Sequence, residues 1–154
     1  MSQDVGAVNI GAKLAITREI LEYRQGNPAT VVKKFAVKED VMLDVSGMEW
    51  NVRNLAAALG AGTTTMTAAL ETFEFGGAIT VDQYALRFVH VTPAGHTISI
   101  YLWKAEGAGD FEINFGEGPH EFPMSFNAVE STTDWTGASL TTTKRLLKLV
   151  YEKT

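Results

Sequence analysis

Residues 81–105, VDQYALRFVHVTPAGHTISIYLWKA, form two alternating runs on either side of Pro93-Ala94-Gly95. Proline presets φ at one turn position and glycine tolerates a positive φ at another, so the stretch predicts an antiparallel hairpin. Alternation sends successive side chains to opposite sides of a strand, and the apolar side must then be covered by the rest of the chain. The same period recurs upstream, where Val8, Ile10, Ala12, Leu14 and Ile16 alternate with Asn9, Lys13 and Thr17. That run predicts a half-buried strand followed by a loop at YRQGNPAT. The stretch VVKKFAVKEDVMLDVSGMEW sets Val41, Leu43 and Val45 against Met42, Asp44 and Ser46, giving one further extended segment or two. TTTMTAALETFEF, residues 63–75, reads as one strand ending at the Gly76-Gly77 turn. Downstream, DFEINF alternates Phe111, Ile113 and Phe115, and EFPMSFNAV alternates Phe122, Met124, Phe126 and Ala128. Pro123 has no N–H to give to a ladder, so this second run predicts an edge strand or one that starts after the proline. KRLLKLVYEK reads as a last strand, with Leu147, Leu149 and Tyr151 alternating.

One segment breaks the period of two. In MEWNVRNLAAALGAGTTTM, residues 48–66, Val52, Leu55, Ala56 and Leu59 share one helical face between Asn51, a good N-cap, and Gly60, a good helix terminator. A helix of about eight residues does not persist alone in water, so its apolar stripe must rest on a sheet. The fold class that follows is mainly β: two packed antiparallel sheets, or a β-barrel-like sandwich, with one short α-helix at about residues 52–59 covering an opening. No linker or repeat divides the chain, which reads as a single domain over 1–154.

The composition narrows function by exclusion. The chain has 154 residues and no cysteine, which removes disulfides, thiolate nucleophiles and cysteine-ligated metals. No stretch has the pattern of a signal peptide or the apolar length of a membrane span, so a soluble, unexported product without membrane insertion is expected. His90, His96 and His120 stand in no nucleophile-elbow or metal-ligand pattern, and GAGTTT and GAGD match no dinucleotide or phosphate-loop spacing. The acidic pairs Glu71/Glu74 and Glu117/Glu121 are not arranged in sequence as a recognisable glycosidase couple. The expectation is a protein that is not an enzyme and takes no cofactor or metal.

Charge is distributed unevenly. Net charge is −5, which disfavours a dedicated nucleic-acid binder. From Ala105 to Thr143 there are seven acids, including Glu106, Asp110, Glu112, Glu117 and Glu121, and no lysine or arginine. Residues 18–38 carry Arg18, Arg24, Lys33, Lys34 and Lys38 against two acids, Glu19 and Glu22. Such blocks are either separate solvated faces or the complementary ends of a self-associating subunit.

In order and spacing, several of these pieces resemble the tail tube proteins of tailed bacteriophages, a family related to contractile-injection and secretion tube proteins. The resemblance covers roughly residues 8–130. It rests on Asn54, Leu55, Ala56, Leu59 and Gly60 of the helix, the Pro93-x-Gly95 turn, Trp103-Lys104-Ala105, and Phe126 with Ala128. The sequence departs from the family pattern in the short loop Tyr23–Thr30 and in the Thr-rich stretch STTDWTGASLTTTKRLLKLVYEKT. The resemblance implies hexameric rings stacked into a hollow tube that conducts the genome from capsid to host. The implied place is the virion tail, assembled in the host bacterial cytoplasm. Implied partners are the chain itself, a tape-measure protein, a tail terminator and, in some tails, a sheath, with viral DNA passing through unbound. On this reading Arg18, Arg24, Lys33, Lys34, Lys38, Glu106, Asp110, Glu117 and Glu121 are subunit-interface candidates, with Arg53 and Asn54 exposed on the helix beside a neighbour. Asp44 and Glu112 are candidates for the lumen wall, because each lies between apolar residues that point the other way. The alternatives are a capsid decoration or tail-completion protein, and a monomeric carbohydrate-binding sandwich presenting Trp50, Trp103 or Trp135.

Overall fold

The computed structural model describes residues 6, 8–47, 51–77, 79–109, 112 and 122–153. Two long strands, β1 (Val8–Gln25) and β2 (Thr30–Gly47), pair antiparallel from Val8↔Gly47 to Gln25↔Thr30. The sequence reading ended the first strand near Ile16; the strand instead runs on to Gln25, and the second segment is one strand rather than two. Pairing persists through ITREILEYR and VVKKFAV, with register shifts after Glu19 and Tyr23 that absorb one residue of β2 each.

The pairing continues from β2 to β7 (Phe122–Ala128), with Leu43↔Phe126 and Val45↔Met124 in register. β7 then meets the end of β6 (Thr97–Gly107) at Ala105↔Ala128, and β6 pairs along its opposite edge with β5 (Gln83–Val91). β8 (Leu147–Glu152) takes the first half of the β6 edge that β7 joins further along. β6 is therefore the strand on which the sheet forks, in the order β1-β2-β7-β6-β5 with β8 on β6. The hairpin expected at 81–105 is the β5–β6 pair. Its turn has Gly95 at φ +84, with the Gly95 amide donating to the Thr92 carbonyl at 2.9 Å.

Pro123 does lie within a strand, but β7 pairs with β6 only from Phe126 onward. At the proline the described ladder partner is β2 alone, so the missing N–H breaks no central pairing. TTTMTAALETFEF is not one strand. It forms a separate two-stranded sheet, β3 (Thr63–Met66) and β4 (Glu71–Glu74), because Thr67 closes a turn: its hydroxyl and amide both bond the Leu70 carbonyl, and it accepts from the Leu70 amide. The expected strand DFEINF lies outside the described residues, apart from Glu112.

The helix α1 (Val52–Leu59) is where the sequence places it. Asn51 accepts from the Arg53 amide at 2.8 Å, and Gly60 closes the helix at φ +65. α1 rests closely on β6 at Gly107. A β-carbon on Gly107 would stand 2.5 Å from the Ala57 carbonyl oxygen and nearer still to that of Ala58. Ala58 reaches the core this way, joining Val41 and Leu43 of β2, Ile100, Leu102 and Ala105 of β6, and Phe122, Met124 and Phe126 of β7. Burying each of the larger side chains contributes about 1.5–3 kcal/mol, and this cluster holds the layers together. The result is a mainly β, sandwich-like fold of two sheets, with one α-helix among the described residues.

Candidate assembly surfaces

The distal two-thirds of the β1–β2 hairpin touches nothing that buries it. Every residue from Ile16 to Asp40 is exposed, and ten residues of extended β1 span about 30 Å. Apolar side chains lie on this arm among its charged ones. Leu21 is 60% exposed and Phe35 44%, and Ile16, Ile20, Tyr23, Val31, Val32 and Val37 are exposed beside them. A two-stranded ribbon with such a surface is marginal alone, and an unpartnered apolar strand pair in water is an association surface. Sequence reading picked out this segment for its charge and missed its apolar side chains. Ile16 and Ile20 fall on one side of β1 and Leu21 and Tyr23 on the other, so apolar residues on both sides of the strand give no period-two signal.

The five cations nominated from the charge blocks all lie on the arm, and four are engaged within it. Arg18 pairs with Glu39 at 2.8 Å, Arg24 and Lys34 share Glu22 at 2.8 and 2.7 Å, and Lys38 meets Asp40 at 2.7 Å. Lys34 and Arg24 hold the Glu22 carboxyl below its ordinary range, and Asp40 raises Lys38. Exposed pairs of this kind add little stability, but they spend the positive charge locally. Lys33 instead lies over the ring of Phe35, 4.9 Å from its centroid. Reversing Lys34 would set a second carboxylate against Glu22 and disturb the arm itself, so Lys33 is the cleaner position at which to test a contact between copies.

The acidic candidates divide differently. Glu106 accepts from the Gln83 side chain at 2.6 Å. Asp110, Glu117, Glu121 and also Trp50 and His120 lie outside the described residues. On α1, Arg53 is exposed as expected. Asn54 is not: it is 2% exposed, on the side of the helix turned into the protein, so the expectation of an exposed Asn54 is corrected. Of the expected stripe Val52, Leu55, Ala56 and Leu59, Ala56 is buried and Leu55 packs half-buried against the core, while Asn54 and Ala58 are buried in addition.

The polar side of the large sheet is continuous across strands. Lys13, Asp44 and Ser125 form one cross-strand row, with Ser125 donating to Asp44 at 2.7 Å. Ala15, Met42, Asn127, Glu106 and Gln83 form another across five strands. Asp44 thus points away from the core, as its neighbours in sequence required, and Glu112 is exposed. In the sheet path β1 and β5 are the terminal strands, each with one edge unpaired in the ladder among the described residues.

The C-terminal stretch packs aromatics onto β6. Tyr101 meets Trp135 edge to face at 4.6 Å, and Trp103 lies 6.1 Å from Trp135 while donating its indole N–H to the Lys144 carbonyl at 2.9 Å. Trp135 is held by a tight turn in which Asp134 accepts from the Thr136 hydroxyl, the Thr136 amide and the Ala138 amide. These bonds, the Thr136 hydroxyl foremost, lower the Asp134 carboxyl below its ordinary range. A carboxyl lowered in the folded state favours folding above its unfolded value of about 3.9 and loses that contribution as pH falls through the folded value. Acidification through that window is expected to release Trp135 and shift tryptophan emission, and Asp134→Ala should show the released emission already at neutral pH. An emission spectrum that is unchanged in both cases would contradict this role for the turn.

His90 and His96 flank the hairpin turn as expected. His96 packs edge-on against Tyr151 at 5.6 Å, and no group of metal-ligating side chains occurs among the described residues. No described helix is long and apolar enough to cross a membrane. No protein-family model matches the chain, and no curated protein matches it.

Proposed function

We propose that this chain is the structural subunit of a phage tail tube: copies join head to tail into rings, the rings stack, and the hollow tube conducts the genome. The observation that carries the reading is the arm, an exposed hairpin bearing uncovered apolar side chains, with no cover among the described residues. Two further features agree with it. The sheet path ends in two different open edges, β1 and β5, and pairing unlike edges is a heterologous contact that closes into a ring when the rotation allows. The polar side of that sheet carries Asp44, Glu106 and Lys13 in the two rows described above, with Arg87 and Lys148 beside Tyr101 in a further row. If about six copies each bring −5, a ring carries about −30, a sign that repels phosphate instead of holding it.

On this reading the protein resides in the virion tail after assembly in the bacterial cytoplasm. Its partners are its own copies, a tape-measure protein, a terminator and, in a contractile tail, a sheath. Trp135, 49% exposed beside Trp103, is the one feature that favours a monomeric carbohydrate module instead. Sedimentation in chelator-containing buffer separates the two. Large, concentration-dependent assemblies are expected without added metal or nucleotide, with seeding where nucleation is slow. A monomer at every concentration, seeded or not, favours the module, and a discrete trimer favours a capsid decoration protein.

A further inference from the structure

The arm needs a surface to cover it, and the subunit offers one elsewhere. On one side of the arm, Leu21↔Phe35 and Tyr23↔Lys33 are register pairs, so three apolar side chains and one cation share a face. The β3–β4 sheet presents the converse. There Met66↔Glu71 and Thr64↔Phe73 share a side, Phe75 stacks on Phe73 at 6.2 Å, and Leu70 stands at the turn. Leu70 is 62% exposed and Phe75 64%. Glu71 is exposed and has no ion-pair partner among the described residues. Leu70, Glu71 and Phe75 are open while Thr64 and Phe73 are half-buried, and the arm is exposed throughout, so among the described residues neither surface covers the other.

We infer that the arm of one copy seats on the β3–β4 sheet of another, with Lys33 of the first against Glu71 of the second; this rests on the assembly proposed above and names the receiving surface. Each side brings an apolar cluster with one charge of opposite sign. Burying the clusters supplies the attraction, and the charge pair selects the docking register, since a misplaced carboxylate or ammonium on an apolar surface is penalised. The two surfaces are different, so the contact is heterologous and propagates from copy to copy. Glu106, in the acidic stretch, accepts from Gln83 within its own subunit, whereas Glu71 has no such ion-pair partner among the described residues.

The test uses the full chain carrying Lys33→Glu, Glu71→Lys, or both. Both positions are exposed, so circular dichroism of the monomers should not change. Each single reversal is expected to weaken assembly about tenfold, equivalent to about 1.4 kcal/mol per contact, and the double reversal to restore it. Singles that assemble like the unaltered protein, or a double as impaired as the sum of the singles, would overturn the pairing. A second measurement is independent of charge. The chain has no native cysteine, so Lys33→Cys and Glu71→Cys proteins can be mixed, assembled and treated with a short bis-maleimide. Cross-links joining the two variants are expected. Cross-links of Lys33→Cys to itself would place arm on arm and overturn the inference. Tubes that form yet show neither charge rescue nor cross-linking defeat this inference and leave the tube reading standing, whereas a chain that never assembles defeats both.

Discussion

Joining Thr17 to Asp40 through an Asn-Gly turn is expected to abolish self-assembly while leaving the body of the subunit folded. Thr17 and Asp40 are register partners in the β1–β2 ladder, so a two-residue turn of that kind closes the shortened hairpin without moving either strand. The excised residues contribute no buried side chain, and the core members Val41 and Leu43 lie beyond the cut. The thermal midpoint should therefore change by no more than about 4 °C, the shift that about 1 kcal/mol produces in a domain of this size. Assembly should fall below detection, because the excision removes both the apolar face and Lys33. A shortened chain that still forms large assemblies would show that the arm is not the principal contact. One that fails to fold would show that the arm supports the body in a way its exposure does not suggest.

Gly107→Ala is expected to cause a large loss of stability. The new carbon would meet backbone carbonyl oxygens of Ala57 and Ala58, and a backbone carbonyl cannot rotate aside as a side chain can. Overpacking typically costs about 1–3 kcal/mol, and at this site the helix must lift off β6 or β6 must bend, so the upper end or beyond applies. Lifting α1 also withdraws Ala58 from the core and exposes Ala105, which is fully buried. The thermal midpoint should drop by about 6–12 °C. Ala108→Gly, one position along and exposed, serves as a control in which flexibility changes without crowding. A midpoint for Gly107→Ala within 2 °C of the unaltered protein, on the order of 0.5 kcal/mol, would contradict the seat described for α1.

The helix, the β5–β6 hairpin and the last strand were legible in the sequence because each is signalled locally. Asn51 and Gly60 mark the ends of α1, and Pro93-Ala94-Gly95 marks the turn. What was not legible depends on partners distant in sequence. Whether Asn54 faces in or out depends on how α1 seats against strands distant in sequence, with its Ala57 and Ala58 carbonyls lying against Gly107 of β6. The fork at β6, where β7 and β8 share one edge, has no local signature because each pairing is long-range. The break in TTTMTAALETFEF turns on Thr67 bonding Leu70, a weaker signal than glycine or proline. For the assembly surfaces, the charge blocks drew attention to the correct segment for an incomplete reason. Counting residues 18–38 stopped just short of Glu39 and Asp40, which pairing brings opposite Arg18 and beside Lys38. Once those pairs form, the distinguishing property of the arm is its uncovered apolar surface and the one cation, Lys33, that lies on it.

A subunit that builds a hollow tube from its own copies is visible as such in negative-stain electron microscopy of the purified chain, without metal, nucleotide or other proteins. Rings with a stain-filled centre are expected in end view and stacked rings in side view, with the assemblies lost when the arm is excised. Compact particles without a channel, or single subunits at every concentration and after seeding, would contradict the tube.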